Sequence, residues 1–78
     1  MTPSDEAWLR LKRSGWSIGD TAGWDLDGGL VWLVTGSNGE NLIRAMGWTQ
    51  AEAWAEAERQ ARELGMLERG PGRTSLAN

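Results

Sequence analysis

Asp20, Asp25 and Asp27 lie close enough in the chain to suggest a calcium loop. Their spacing lacks the dense oxygen ligands and the closing Glu of an EF-hand, so they read as turn and strand-edge carboxylates. Paired carboxylates can also serve glycosidic chemistry, but a domain this small offers no enclosed cleft to hold a sugar. His and Cys are both absent. That removes imidazole bases, thiolate nucleophiles, disulfides and the usual zinc and haem ligand sets, and no nucleophile–base pair is left. The expectation is a non-enzymatic protein with no cofactor, no metal and no small-molecule substrate. Gly36-Ser37-Asn38-Gly39-Glu40-Asn41 has the glycines of a phosphate loop without its spacing or its Lys, and reads as a hairpin turn.

Cationic chemistry is thin as well. Arg10, Lys12, Arg13, Arg69 and Arg73 are scattered over the two ends of the chain, and 11 acidic against 8 basic residues leave a net charge of −3. Phosphate binding needs a concentrated basic field, so this balance weighs against nucleic acid. It is also a weak charge for an acidic mimic of nucleic acid. Trp24 with Arg44 is the only pairing of an indole with a cation in the strands that base stacking would use.

The 78 residues hold one domain and one core. All six aromatic residues are Trp, at positions 8, 16, 24, 32, 48 and 54. The expectation is that they carry the core, since a fully buried Trp gains at most about 5 kcal/mol from area alone. Their near-regular spacing is not a repeat, because the intervening segments share no pattern. Leu30–Val34, the longest apolar run, is too short to span a bilayer, and Met1–Asp5 lacks the basic start and apolar stretch of an export signal. A cytoplasmic location is expected.

The elements follow from caps and turns. Thr2 or Ser4 can cap a first helix that runs to about Arg13, with Pro3 in its opening turn, Ala7, Trp8 and Leu11 on one face and Gly15 at its end. Trp16–Gly23 is read as irregular. Trp24–Asp27, Leu30–Gly36 and Asn41–Gly47 are three strands, joined by turns at Gly28-Gly29 and Asn38-Gly39. Thr49-Gln50-Ala51-Glu52 is a capping box opening a second helix to about Leu64, with Glu58/Arg62 and Arg59/Glu63 as i,i+4 pairs and Gly65 as its stop. The fold class is therefore α+β in the order α-β-β-β-α over residues 1–67, with 68–78 as a loosely ordered tail.

Strand parity then sorts the side chains. A two-residue Asn38-Gly39 turn sets Ser37 against Glu40, Val34 against Ile43 and Trp32 against Ala45; a similar turn at Gly28-Gly29 sets Trp24 against Leu33 and Leu26 against Val31. One face holds Leu30, Trp32, Val34, Ile43 and Ala45. Both helices are assigned to it, with Trp54, Ala57, Ala61 and Leu64 at core spacing. The other face holds Trp24, Leu26, Val31, Leu33, Leu42, Arg44 and Met46, with Trp48 extending its edge. Two helices roof only one side of such a sheet, so this second apolar face is expected to be an interface, met by another copy in a dimer or by a protein partner.

Helix, three antiparallel strands and helix over roughly Ser4–Leu67 resemble the double-stranded RNA-binding domain, which implies nucleic-acid binding as the alternative function. That family carries a lysine-rich stretch at the start of its last helix, where this chain has Thr49-Gln50-Ala51-Glu52-Ala53-Trp54. Gly47, Thr49, Glu52 and Ala53 are similar to the strand-to-helix junction of integrase arm-binding domains, which also rely on basic strands. Trp32, Gly36, Asn38-Gly39-Glu40-Asn41, Thr49–Trp54 and Leu64-Gly65-Met66-Leu67 resemble a class of short uncharacterised bacterial proteins, a resemblance that implies no particular activity.

Overall fold

The computed structural model describes residues 1–67, so the expectation of a loose tail over 68–78 falls outside the described residues. The order is α1 (Pro3–Arg13), β1 (Ser17–Trp24), β2 (Leu30–Asn38), β3 (Asn41–Gly47) and α2 (Gln50–Glu63), with one antiparallel sheet ordered β1-β2-β3. This is the α-β-β-β-α fold of the α+β class.

Both helices begin and end by side-chain and backbone capping. Thr2 and Asp5 form a reciprocal capping box at α1, with Thr2 Oγ1 accepting from the Asp5 amide and an Asp5 oxygen accepting from the Thr2 amide, each at 3.1 Å. At α2, Thr49 Oγ1 accepts from the Glu52 amide at 3.1 Å, but the Glu52 carboxylate reaches one residue further back, to the Trp48 amide at 3.0 Å. The two C-termini share a Schellman motif: Trp16 N–H donates to Leu11 O and Gly15 N–H to Lys12 O in α1, and Met66 N–H donates to Ala61 O and Gly65 N–H to Arg62 O in α2. In each motif the residue after the glycine turns inward. These two residues meet, and the Trp16 indole N–H donates to Met66 O at 2.8 Å.

The strands depart from the expected registers. Trp16–Gly23 is not irregular: Trp16 is buried and Ser17–Trp24 is the first strand. Trp24–Asp27 is not a strand beyond Trp24, because the Asp25 carboxylate accepts from the amides of Asp27 (3.0 Å) and Gly29 (2.7 Å) and starts the turn there. Trp24 consequently lies opposite Leu30 instead of Leu33, which moves it to the opposite parity, and Leu26 sits in the turn with no strand partner. At the second hairpin Asn38 pairs with Asn41 around Gly39-Glu40, not Ser37 with Glu40. Only Gly39 has positive φ there, at 64°, as a turn with glycine in its first central position requires, and Asn38 stays in the strand with its side-chain amide donating to Ser14 O at 3.0 Å. Val34 therefore opposes Ala45, and Trp32 opposes Gly47. This shift of two places preserves parity, so the sorting of β2 and β3 side chains between faces is as expected.

Both helices lie on the face of Val34, Ile43 and Ala45. The core joins these to Ala7, Leu11, Trp16, Ala53, Trp54, Ala57 and Ala61, with Trp32 and Ile18 partly buried against it. Trp therefore supplies less of the core than composition suggests. Trp16 and Trp54 are inside, while Trp8, Trp24 and Trp48 are exposed and the Ala stripe of α2 lets the helix sit close. Leu64 is exposed past the helix end, and Ser4 rather than Trp8 completes the buried face of α1. Glu58 does not pair with Arg62. It is buried and accepts both Arg10 Nε and Arg10 Nη2, which ties α2 to α1.

Gly47 makes the closest approach between sheet and helix, since a Cβ there would lie 2.5 Å from the Ala53 backbone nitrogen. Gly47→Ala is expected to cost about 2 kcal/mol by overpacking, read as a lower urea midpoint. Gly19→Ala, where a Cβ meets nothing within 4 Å, is expected to change stability by no more than about 0.5 kcal/mol.

Candidate functional site on the open sheet face

With both helices on one side, the other side of the sheet keeps its apolar residues in the open. Val31 and Leu33 form a half-buried floor, and around them Leu42, Met46 and Trp48 are 72%, 60% and 65% exposed. Of the residues expected at an interface, Val31, Leu33, Arg44, Met46 and Trp48 line this surface, while Leu42 lies further along β3 opposite Ser37 near the second hairpin. Trp24 borders the surface from the strand end although its register parity is that of the helix side. Leu26 is fully exposed in the first turn and does not line it.

The surface contains two shallow hollows that share Asp25, Val31 and Met46. One, of about 240 Å³, is bounded by Thr21, Trp24, Leu33 and Arg44; the other, of about 420 Å³, by Gly47, Trp48, Glu52 and Glu56. Trp48 is held over the second by two constraints. Its amide is fixed by Glu52, and its ring edge lies 3.4 Å from where a Cβ on Gly29 would stand.

Charge is distributed unevenly along this trough. Arg44 is exposed at mid-strand and forms no ion pair among the described residues. At the Trp48 end Asp25, Glu52 and Glu56 make an acidic rim. The Arg59 guanidinium, donating from Nε at 2.8 Å, and the Gln60 amide at 3.1 Å hold the Glu56 carboxyl down to about 2. Glu56 therefore stays ionised well below neutral pH. Sequence reading missed Asp25, Glu52 and Glu56 as members of the site. The available signal was the i,i+4 spacing of Glu52 and Glu56, which puts both on one side of α2.

Several of the other carboxylates and cations weighed for chemistry have structural partners. Asp20 Oδ2 accepts from the Trp54 indole at 2.9 Å and from Gln50 Nε2 at 2.7 Å, and Asp25 closes its turn. Among the described residues no group of three or more carboxylates converges as a metal site would require, and no helix is long and apolar enough to cross a membrane. Arg10 is bound by Glu58, and Lys12 Nζ lies 5.9 Å from the centre of the Trp8 ring. No protein-family model, curated protein or solved structure matches the chain.

Carbon-detected NMR titration is expected to find Glu56 ionising near 2 and Arg59→Ala returning it toward 4.5. Because this pKa is depressed in the folded chain, its small contribution to stability is present above about pH 4.5 and fades as pH falls toward 2.

Proposed function

We propose that the chain is a non-enzymatic interaction module that associates with a second copy through the open sheet face. The observation that carries this reading is the trough itself: a half-buried apolar floor beside the exposed Met46, with Arg44 in no ion pair among the described residues at one part and an acidic rim at another. Such a surface is complementary to itself. A two-fold axis passing near Met46 stacks Val31, Leu33 and Met46 of one copy on those of its partner and brings each Arg44 toward the other's acids. Exposed apolar surface of this kind is a mark of association sites, and opposed charges fix the register of the contact.

Leu33→Asp puts a carboxylate on the half-buried floor and is expected to lower the light-scattering mass of the purified chain by removing the face contact, with helical circular dichroism retained. Arg44→Glu is expected to raise the dimer dissociation constant roughly tenfold at low salt, by setting acid against acid, and high salt should narrow that gap. A parent chain that is monomeric at high concentration, or a Leu33→Asp variant of unchanged mass, contradicts the proposal.

A further inference from the structure

The two edges of the sheet are treated differently. The Asp25 amide donates to Gly29 O, which fixes the phase of the β1–β2 ladder. Alternation from that pair points the backbone groups of Ser17, Gly19, Thr21 and Gly23 toward β2, and those of Ile18, Asp20, Ala22 and Trp24 away from the sheet. The same alternation carried across β2 points the backbone of Arg44 outward from β3. There the Gln60 side chain meets both of its groups, accepting from Arg44 N–H at 3.1 Å and donating to Arg44 O at 2.9 Å. Gln60 thus stands in for a missing strand on β3. No described residue does this for β1, an eight-residue edge with a continuous register and neither Pro nor Lys to discourage pairing.

We propose that the β1 edge is a second contact surface, independent of the open face, and that its occupant is β1 of another copy, paired antiparallel about a two-fold axis at Thr21. The side chains select this register. It sets Trp24, 75% exposed on the helix side, against Ile18 of the partner, an aromatic and β-branched pair. It sets Asp20 against Ala22 and Thr21 against its own counterpart. Centring instead on Asp20 would oppose two carboxylates, and centring on Ala22 would leave Ile18 beyond the partner's strand. Asp20 does not obstruct the pairing, because its carboxylate is turned to Trp54 and Gln50. A two-fold axis normal to the sheet keeps the helices of both copies on one side. The product is a six-stranded sheet in which the two open faces form one surface, so edge pairing and face stacking can coexist.

The chain has no native cysteine, so single substitutions report the register directly. Under mild oxidation Thr21→Cys is expected to form a covalent dimer, since directly opposed residues bring their Cα atoms within disulfide reach. Ser17→Cys on the same strand, far from its own counterpart in this register, is not. Ala22→Pro removes an outward N–H that β2 does not use, and should abolish the edge contact while circular dichroism stays native. Leu33→Asp, which disturbs the face alone, should leave the Thr21→Cys cross-link intact, so loss of one contact is distinguishable from loss of the other. Thr21→Cys that remains monomeric, or Ser17→Cys that cross-links equally well, overturns the pairing. So does a folded Ala22→Pro chain of unchanged mass, and if that variant does not fold the cysteine pair decides alone.

Discussion

The hydrogen bond from the Trp16 indole to Met66 O is the contact on which the arrangement of layers depends. It joins the residues that follow the two helix-ending glycines, and so fastens the C-terminal ends of α1 and α2 together beneath one face of the sheet. Its net worth as a hydrogen bond is only about 1 kcal/mol. The larger effect is geometric, because an indole buried to that depth must keep its N–H satisfied, and the single acceptor at Met66 dictates where the end of α2 lies. The part-buried Arg10–Glu58 pair adds a second tie between the helices, and the close approach at Gly47 seats the start of α2 against the sheet. With both helices committed to the Val34 side, nothing in the described chain covers Val31, Leu33 and Met46 on the other.

Consequences for the surface come from choices that look purely local. Glu52 caps α2 through the Trp48 amide and in the same position forms part of the acidic rim. Gln60 closes the β3 edge at Arg44 while donating to Glu56, so one side chain serves the edge, the rim and the helix. Asp25 closes the first turn and also borders both hollows. In a chain this short the groups that end elements are the groups that line the surface. Folding and recognition share residues because there are too few to separate them.

The parts of this architecture legible in the sequence are those with local causes. Thr49 and the Ala-rich run behind it announce α2, Thr2-Pro3 announces α1, and Gly39 requires a hairpin within a residue or two of its place. Parity along β2 and β3 followed from that hairpin and survived its two-place shift, which is why Val31, Leu33, Arg44, Met46 and Trp48 were identifiable as one face. β1 was not legible because it is an edge strand. With only Ile18 half-buried, its solvated Ser, Gly, Asp and Thr side chains carry no alternation to detect. The misplacement of Trp24 and Leu26 followed from that, since Asp25 rather than Gly28-Gly29 starts the turn. The Glu58–Arg10 pair was hidden for another reason: helical spacing offers Arg62 as a local partner, and only packing reveals the distant one.

The central claim is that the side of the sheet opposite the helices is covered by another molecule of the same chain. Isotope-filtered nuclear Overhauser spectroscopy on a mixture of labelled and unlabelled chains tests it most directly. The account predicts intermolecular contacts to the methyl groups of Met46, Leu33 and Val31. Methyl groups that show contacts only within their own chain, at concentrations where copies associate, would contradict it.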